Sequence, residues 1–249
     1  PDIAFEAGKN FFLPDISENI LSDFVNDAFN FPVPLVPLSK QIYVLELFHG
    51  PTCAFKDFAA RFMARLLGFF AEKSQKAITI LVATSGDTGS AVAHGFLNVK
   101  GINVIILYPS GKVSHLQEKQ LTGMGGNITA LEVRGNFDDC QRMVKQAFLD
   151  KELKEKMTLA SANSINIARL LPQSFYYLYL CAQLKKENKP IVVSVPSGNF
   201  GNLTAGIIAK RMGAPIFKFV ASTNRNNVVP EYLQTGEFKP KTSVATISN

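Results

Sequence analysis

"AITILVATSGDTGSAVAHGF", residues 77–96, sets the fold. It opens with an apolar, β-branched run (77–83), passes through a turn of Ser, Thr, Gly and Asp (84–90), and continues into the helix-forming "SAVAHGFLNV". The run lacks the apolar–polar alternation of a strand with one wet face, so it suits a strand covered on both sides. A doubly covered strand that turns directly into a helix is the repeating unit of a parallel α/β sheet.

The same order of events recurs on either side. "IYVLELF" (42–48), "INVIILY" (102–108), "ITALEV" (128–133), "MTLASA" (157–162), "IVVSVP" (191–196) and "IFKFVA" (216–221) are expected strands, most of them followed by a turn and a helix. An α/β fold with an open, doubly wound, mainly parallel sheet, or two such sheets, is the expectation. A TIM barrel is the alternative, and the Gly-rich turns favour the open sheet. The first 40 residues differ, with Pro32, Pro34 and Pro37 predicting an extended approach to the first strand.

Composition narrows the function classes. The 249 residues are 47% hydrophobic with mean hydropathy +0.10, enough to bury a substantial core. The net charge of +6 comes from scattered residues rather than a basic stripe, which argues against a nucleic-acid partner. Cys53, Cys140 and Cys181 are far apart and have no metal-ligand spacing, so no metal site and a reducing, cytoplasmic setting are expected. No run approaches the roughly 18 apolar residues of a membrane span. The chain opens "PDIAF" without methionine and stops at "VATISN", which predicts a piece of a longer protein.

In open parallel sheets, ligands gather at the strand-to-helix loops, and that is where the informative residues fall. "HGPTCAFKDF" (49–58) sets Lys56 and Asp57 at the start of an amphipathic helix with Phe58, Phe62 and Leu66 at i, i+4 and i+8. The helix dipole and the flanking phenylalanines disfavour an ammonium there, and a neutral amine condenses with an aldehyde. On this segment alone, a lysine snorkelling to solvent is the plainer alternative. "TSGDTGS" (84–90), with Ser85 and Thr88, suits a carboxylate or phosphate, although any tight turn favours these residue types. "PSGNFGN" (196–202) lets the backbone fold round an anion, yet it matches neither a dinucleotide fingerprint nor a P-loop. "NSINIAR" (163–169) places Asn166 and Arg169 as i, i+3 neighbours at a helix start, where capping alone explains them equally well.

Jointly these four segments, in this order and approximate spacing, resemble the threonine synthases, which are similar in fold to the tryptophan synthase β-like group of pyridoxal-phosphate enzymes (fold type II). The resemblance runs from about residue 30 to the end. It implies two doubly wound domains with the cofactor in the cleft, the larger from residues 1–76 and 163–249 and the smaller from 77–162. It implies that Lys56 holds pyridoxal 5'-phosphate as a Schiff base. It also implies that Gly198, Asn199, Phe200, Gly201 and Asn202 wrap the cofactor's phosphate and that Asp87 borders the cofactor. Ser85 and Thr88 would meet the substrate carboxylate, and Asn166 and Arg169 a substrate phosphate. The implied reaction converts O-phosphohomoserine and water into threonine and phosphate, in a monomer or homodimer with no membrane partner. A β-eliminating dehydratase and a noncatalytic binding module are the alternatives.

Overall fold

The computed structural model describes residues 1–242, 244 and 246. Its elements, in chain order, are α1 (Asp2–Phe12), α2 (Glu18–Ala28), β1 (Leu35–Pro37), β2 (Tyr43–Leu45), α3 (Asp57–Ser74), β3 (Ile78–Ala83), α4 (Asp87–Phe96), β4 (Ile102–Pro109) and α5 (His115–Thr122). There follow β5 (Ile128–Val133), α6 (Phe137–Leu149), α7 (Lys151–Lys156), β6 (Thr158–Ser161), α8 (Ile167–Leu184), β7 (Ile191–Pro196), α9 (Gly201–Arg211), β8 (Ile216–Ser222) and α10 (Val228–Thr235).

The α/β expectation holds. Strands β5, β4, β3 and β6 form one parallel sheet in that order, with Ile80 opposite both Val104 and Ala160. Alternate residues of its strands serve opposite layers, as the pleat requires. Ile80, Val82, Val104 and Ile106 pack with Met63 of α3 and Val92 and Phe96 of α4, while Leu81, Ala83 and Leu107 pack with Cys140 and Val144 of α6. That two-sided cover explains why the strand at 78–83 carries no polar alternation. Strands β7 and β8 pair in parallel as a second sheet, two-stranded among the described residues.

Two features depart from expectation. Only Tyr43–Leu45 of the run 42–48 is extended, and it pairs antiparallel with β1 through Val36 and Val44. The Pro-containing segment that was expected merely to approach the first strand is itself β1, and the chain doubles back on it after a short turn. An edge ribbon tolerates Pro37, which lacks a donor, where a central parallel strand would not. Helices α1 and α2 fall in the opening stretch for which no helix was expected. They are amphipathic and lay Ala4, Leu21, Val25 and Ala28 against the second core.

Helix α3 serves two cores at once. Its Phe58, Phe62 and Leu66 enter the cluster formed with α1, α2, α8 and α9, whereas Ala60, Met63, Ala64 and Ala71 face the four-stranded sheet. The crossing of α3 and α4 is close because Gly95 has no side chain: a Cβ there would lie 3.0 Å from the Ala60 carbonyl carbon. Phe62 is fully buried, with the Phe12, Phe24, Phe29 and Phe175 rings 5.1–6.5 Å away. Phe62→Ala is therefore expected to destabilise the fold by about 3–5 kcal/mol, measured as a lower denaturant midpoint at unchanged slope.

Candidate active site

Lys56 occupies the N-cap of α3 with helical dihedrals (φ −69°, ψ −17°) and supplies no capping side chain. The next residue ties the preceding turn to the helix start. Asp57 is 1% exposed, and its carboxylate accepts from the Thr52 backbone N–H (2.9 Å) and hydroxyl (2.7 Å). The turn 50–56 is thereby folded onto the helix start, with Cys53 in the left-handed region (φ +57°). A non-glycine residue held there costs backbone energy, and such residues cluster at working sites.

The Lys56 side chain is 21% exposed, and its Nζ lies 3.4 Å from Asp87 Oδ2. It also sits over the Phe55 ring, 4.5 Å from the centroid. Burial pushes the Lys56 amine below the ordinary lysine range. The Asp87 carboxylate opposes that fall, and the Arg169 guanidinium adds to it. Desolvation wins because Asp87 is half exposed, and a pair of that kind is screened by water.

Asp87 opens α4, immediately after a loop organised by Thr84. The Thr84 hydroxyl accepts from the Gly86 and Gly89 N–H groups (3.0 and 2.9 Å) and donates to the Gly86 carbonyl (2.9 Å). Ser85 and Thr88 on this loop are half-buried, and Ser90 is buried. Asn163 pins the loop's base to the segment before α8: it accepts from Ala83 N–H (3.2 Å) and donates to the Ala83 carbonyl (2.8 Å).

Asn166 is the N-cap of α8, accepting from Ala168 N–H at 3.0 Å while its amide donates to the Ser161 carbonyl at 2.8 Å. One turn on, Arg169 is 2% exposed, donates to the Ala162 carbonyl, and has a buried Nε without a partner. No carboxylate pairs with this guanidinium among the described residues, and burial pulls it down to about 10, below the ordinary guanidinium range. A buried, unpaired cation is costly, and an anion placed against it removes the cost.

The fourth segment joins β7 to α9. Phe200 is the N-cap of α9 with φ +58°, and the first helical N–H to find its acceptor is that of Thr204, on Phe200 O. The N–H groups of Gly198 through Leu203 make no hydrogen bond among the described residues. They are a row of donors at a helix N-terminus, the arrangement that binds phosphate. The Asn202 side chain is engaged by the Tyr176 and Tyr177 hydroxyls of α8 at 2.7 and 2.6 Å, and burial raises both phenols above their ordinary range.

The segments singled out in the sequence therefore meet. Lys56 reaches Asp87, Asn163 ties the 84–90 loop to α8, Ser164 lies against Gly201, and Phe58 packs on Tyr176 (centroids 5.1 Å), which holds Asn202. Three residues that support the site carried no sequence signal. Gln117, Tyr176 and Tyr177 matter through partners that only the fold brings near. Gln117 Nε2 donates to Asp87 Oδ1 at 2.6 Å across 30 residues of chain.

The chain is similar to known proteins over nearly its whole length. The chain is 57% identical over 236 residues to the threonine synthase of Haemophilus influenzae, an alignment covering 94% of this chain and 55% of that protein. It superposes on the crystal structure of threonine synthase from Escherichia coli with TM-score 0.92 and 50% identity, covering 98% of this chain and 57% of that one. The pyridoxal-phosphate-bound threonine synthase from Brucella melitensis matches with TM-score 0.89 and 37% identity, over 98% and 54% of the two chains. The chain thus spans a little over half the length of these relatives. Residues 28–249, most of the chain, match the family described as pyridoxal-phosphate dependent enzyme, and the chain belongs to that family.

Proposed function

We propose that this protein is a threonine synthase, converting O-phosphohomoserine and water into threonine and phosphate. The observation that carries the reading is Arg169: a buried guanidinium without an anion, close enough to Lys56 to depress its amine. A β-eliminating enzyme with a neutral leaving group needs anion sites for the cofactor's phosphate and the substrate's carboxylate, and has no use for a third. A synthase that expels phosphate does.

The residues fit pyridoxal phosphate. Its aldehyde needs an amine that sheds its proton readily, and burial makes Lys56 one. Its phosphate needs unpaired donors, and the Gly198–Asn202 backbone with Leu203 supplies them. When bound, the cofactor supplies an electron sink for carbanions at the substrate's Cα and Cβ.

The chain's own residues do the rest. Lys56 Nζ would hold the cofactor through its aldehyde carbon, take the substrate's Cα proton once released, move the Cβ proton so that the γ-phosphate departs with its electron pair, and return protons to Cγ and Cα as water adds its hydroxyl at Cβ. Asp87, against Nζ, borders the cofactor. Ser85 and Thr88 bind the substrate carboxylate. The Arg169 guanidinium, with the remaining amide hydrogen of Asn166, binds the substrate phosphate and stabilises the charge that gathers on it as it leaves. We further divide the chain into the larger cofactor domain (1–76 and 163–249) and the smaller domain (77–162), a division supported by the separate cores on either side of α3. We place the enzyme in the cytoplasm as a monomer or homodimer. Its three cysteines are free thiols, which suits a reducing compartment. No helix among the described residues is long and apolar enough to cross a membrane.

The test is to supply O-phosphohomoserine to the full-length protein and measure inorganic phosphate and threonine together. Equal amounts of the two are expected. A 2-oxo acid formed from serine or threonine, with no phosphate released from O-phosphohomoserine, would replace the synthase with a dehydratase.

A further inference from the structure

We propose that Gln117 is a positioning residue whose amide holds the Asp87 carboxylate against Lys56 and thereby sets the pH at which Lys56 takes up its proton. The inference deepens the reading above and rests on Lys56 as the cofactor-bearing amine.

The geometry fixes which way the Gln117 amide points. Ser114 and Gln117 form a capping box at the start of α5, in which Gln117 Oε1 accepts from the Ser114 hydroxyl (3.0 Å) and N–H (3.4 Å). With the oxygen so engaged, Nε2 is left to face Asp87, and it donates to Oδ1 at 2.6 Å. An amide nitrogen donates only, so it holds Asp87 Oδ1 as an acceptor at this contact. The other carboxylate oxygen, Oδ2, is then aimed at Lys56 Nζ, 3.4 Å away.

The space for this side chain is made by Gly86. Its φ of +148° is closed to other residues, and the Gln117 carboxamide occupies the position of the missing Cβ, which would lie 2.5 Å from it. Left alone, a half-exposed Asp87 would turn its carboxylate to water, because an isolated exposed ion pair barely outweighs the entropy of ordering its side chains. Gln117 fixes the aspartate in advance. Three charged groups act on Lys56: Asp87 and Asp57 favour its ammonium, and Arg169 disfavours it. Of these, Asp57 is locked by Thr52 and Arg169 is buried, so Asp87 is the one whose aim another residue controls.

The experiment uses the full-length protein freed of cofactor, with Lys56 reactivity toward trace acetic anhydride followed by peptide mass spectrometry across pH. Gln117→Met, which keeps length and loses the donor, is expected to lower the Lys56 midpoint by about half a pH unit, roughly a threefold gain in reactivity at fixed pH. Asp87→Asn should lower it at least as far. Gln117→Met placed on Asp87→Asn should add nothing, because the amide then has no carboxylate to aim. Ser114→Ala removes the hydroxyl but keeps the Ser114 N–H on Gln117 Oε1 (3.4 Å), so the amide stays turned toward Asp87; the midpoint should move less than in Gln117→Met, and the variant also controls for folding. An unchanged midpoint in Gln117→Met, an equal shift in both Asp87 backgrounds, or a matching shift in Ser114→Ala would overturn the proposal. Borohydride capture of pyridoxal phosphate on the Lys56 peptide of the wild type separates the two levels: its absence removes the cofactor assignment, whereas its presence with any of those three results removes only the role of Gln117.

Discussion

Lys56→Ala is expected to abolish the covalent, borohydride-reducible capture of pyridoxal phosphate and to lower turnover of O-phosphohomoserine by at least roughly 10³-fold. The same nitrogen is asked to hold the cofactor and then to move protons, so no single neighbour can replace it. The fold should hardly notice. The lysine side chain makes no capping hydrogen bond, its ion pair with Asp87 is half exposed, and the turn is held by Asp57 instead. A loss of under about 1 kcal/mol in unfolding free energy is expected. Lys56→Arg should fail as completely, because a guanidinium keeps its proton and cannot condense with an aldehyde at neutral pH. Mass spectrometry of the reduced protein is the check: a cofactor adduct retained on any peptide of Lys56→Ala would show that the amine has been misassigned.

Arg169→Met should separate binding from stability. The guanidinium is buried with no anion beside it among the described residues, and its ionisation is pulled down to about 10, well below the ordinary guanidinium range. The native state thus resists holding this proton more than the unfolded state does. The resulting penalty is fully present below about pH 10 and is relieved as pH rises above it. Met removes the penalty along with one hydrogen bond to the Ala162 carbonyl, so the thermal midpoint without ligand should stay within a few degrees of wild type. Function should not be spared: kcat/KM for O-phosphohomoserine is expected to fall on the order of 100-fold, the scale of a lost charged hydrogen-bond pair. Inorganic phosphate should raise the melting temperature of the wild type through its preference for the folded state and should do so less in Arg169→Met. A variant that keeps both the full phosphate-induced shift and the wild-type kcat/KM would remove Arg169 from the substrate site.

The strands were legible wherever they run through the middle of a covered parallel sheet. Residues 78–83 and 102–109 have apolar side chains on both faces, and that signature survives without knowledge of the partners. It misled at 42–48, where an equally apolar run folds into a two-stranded edge ribbon because its partner is the proline-bearing segment just before it. Helices α1 and α2 were not anticipated. Their apolar faces have meaning only against α3 and α8, which come later in the chain.

Within the site, the glycine loop and the lysine could be read locally, because a helix start changes the chemistry of its own residues. The supporting residues could not. Gln117 meets Asp87 across 30 positions, and Tyr176 meets Asn202 across 26. A tyrosine pair in the middle of an apolar helix is indistinguishable in sequence from ordinary core. Asp57 gave half a signal: an acidic residue is welcome in a first turn, but its capture of Thr52 depends on the turn closing back over it.

Helix α3 gives one rod two neighbours, with phenylalanines toward the α1, α2, α8 and α9 cluster and alanines with Met63 toward the four-stranded sheet. Loss of either core uncovers one long side of that rod, and the exposed side cannot be re-covered by the other. The two cores should therefore melt in a single cooperative transition, with Phe62 and Met63 variants coupled rather than additive although they face different cores. Lys56, at the start of the rod, inherits its rigidity from both.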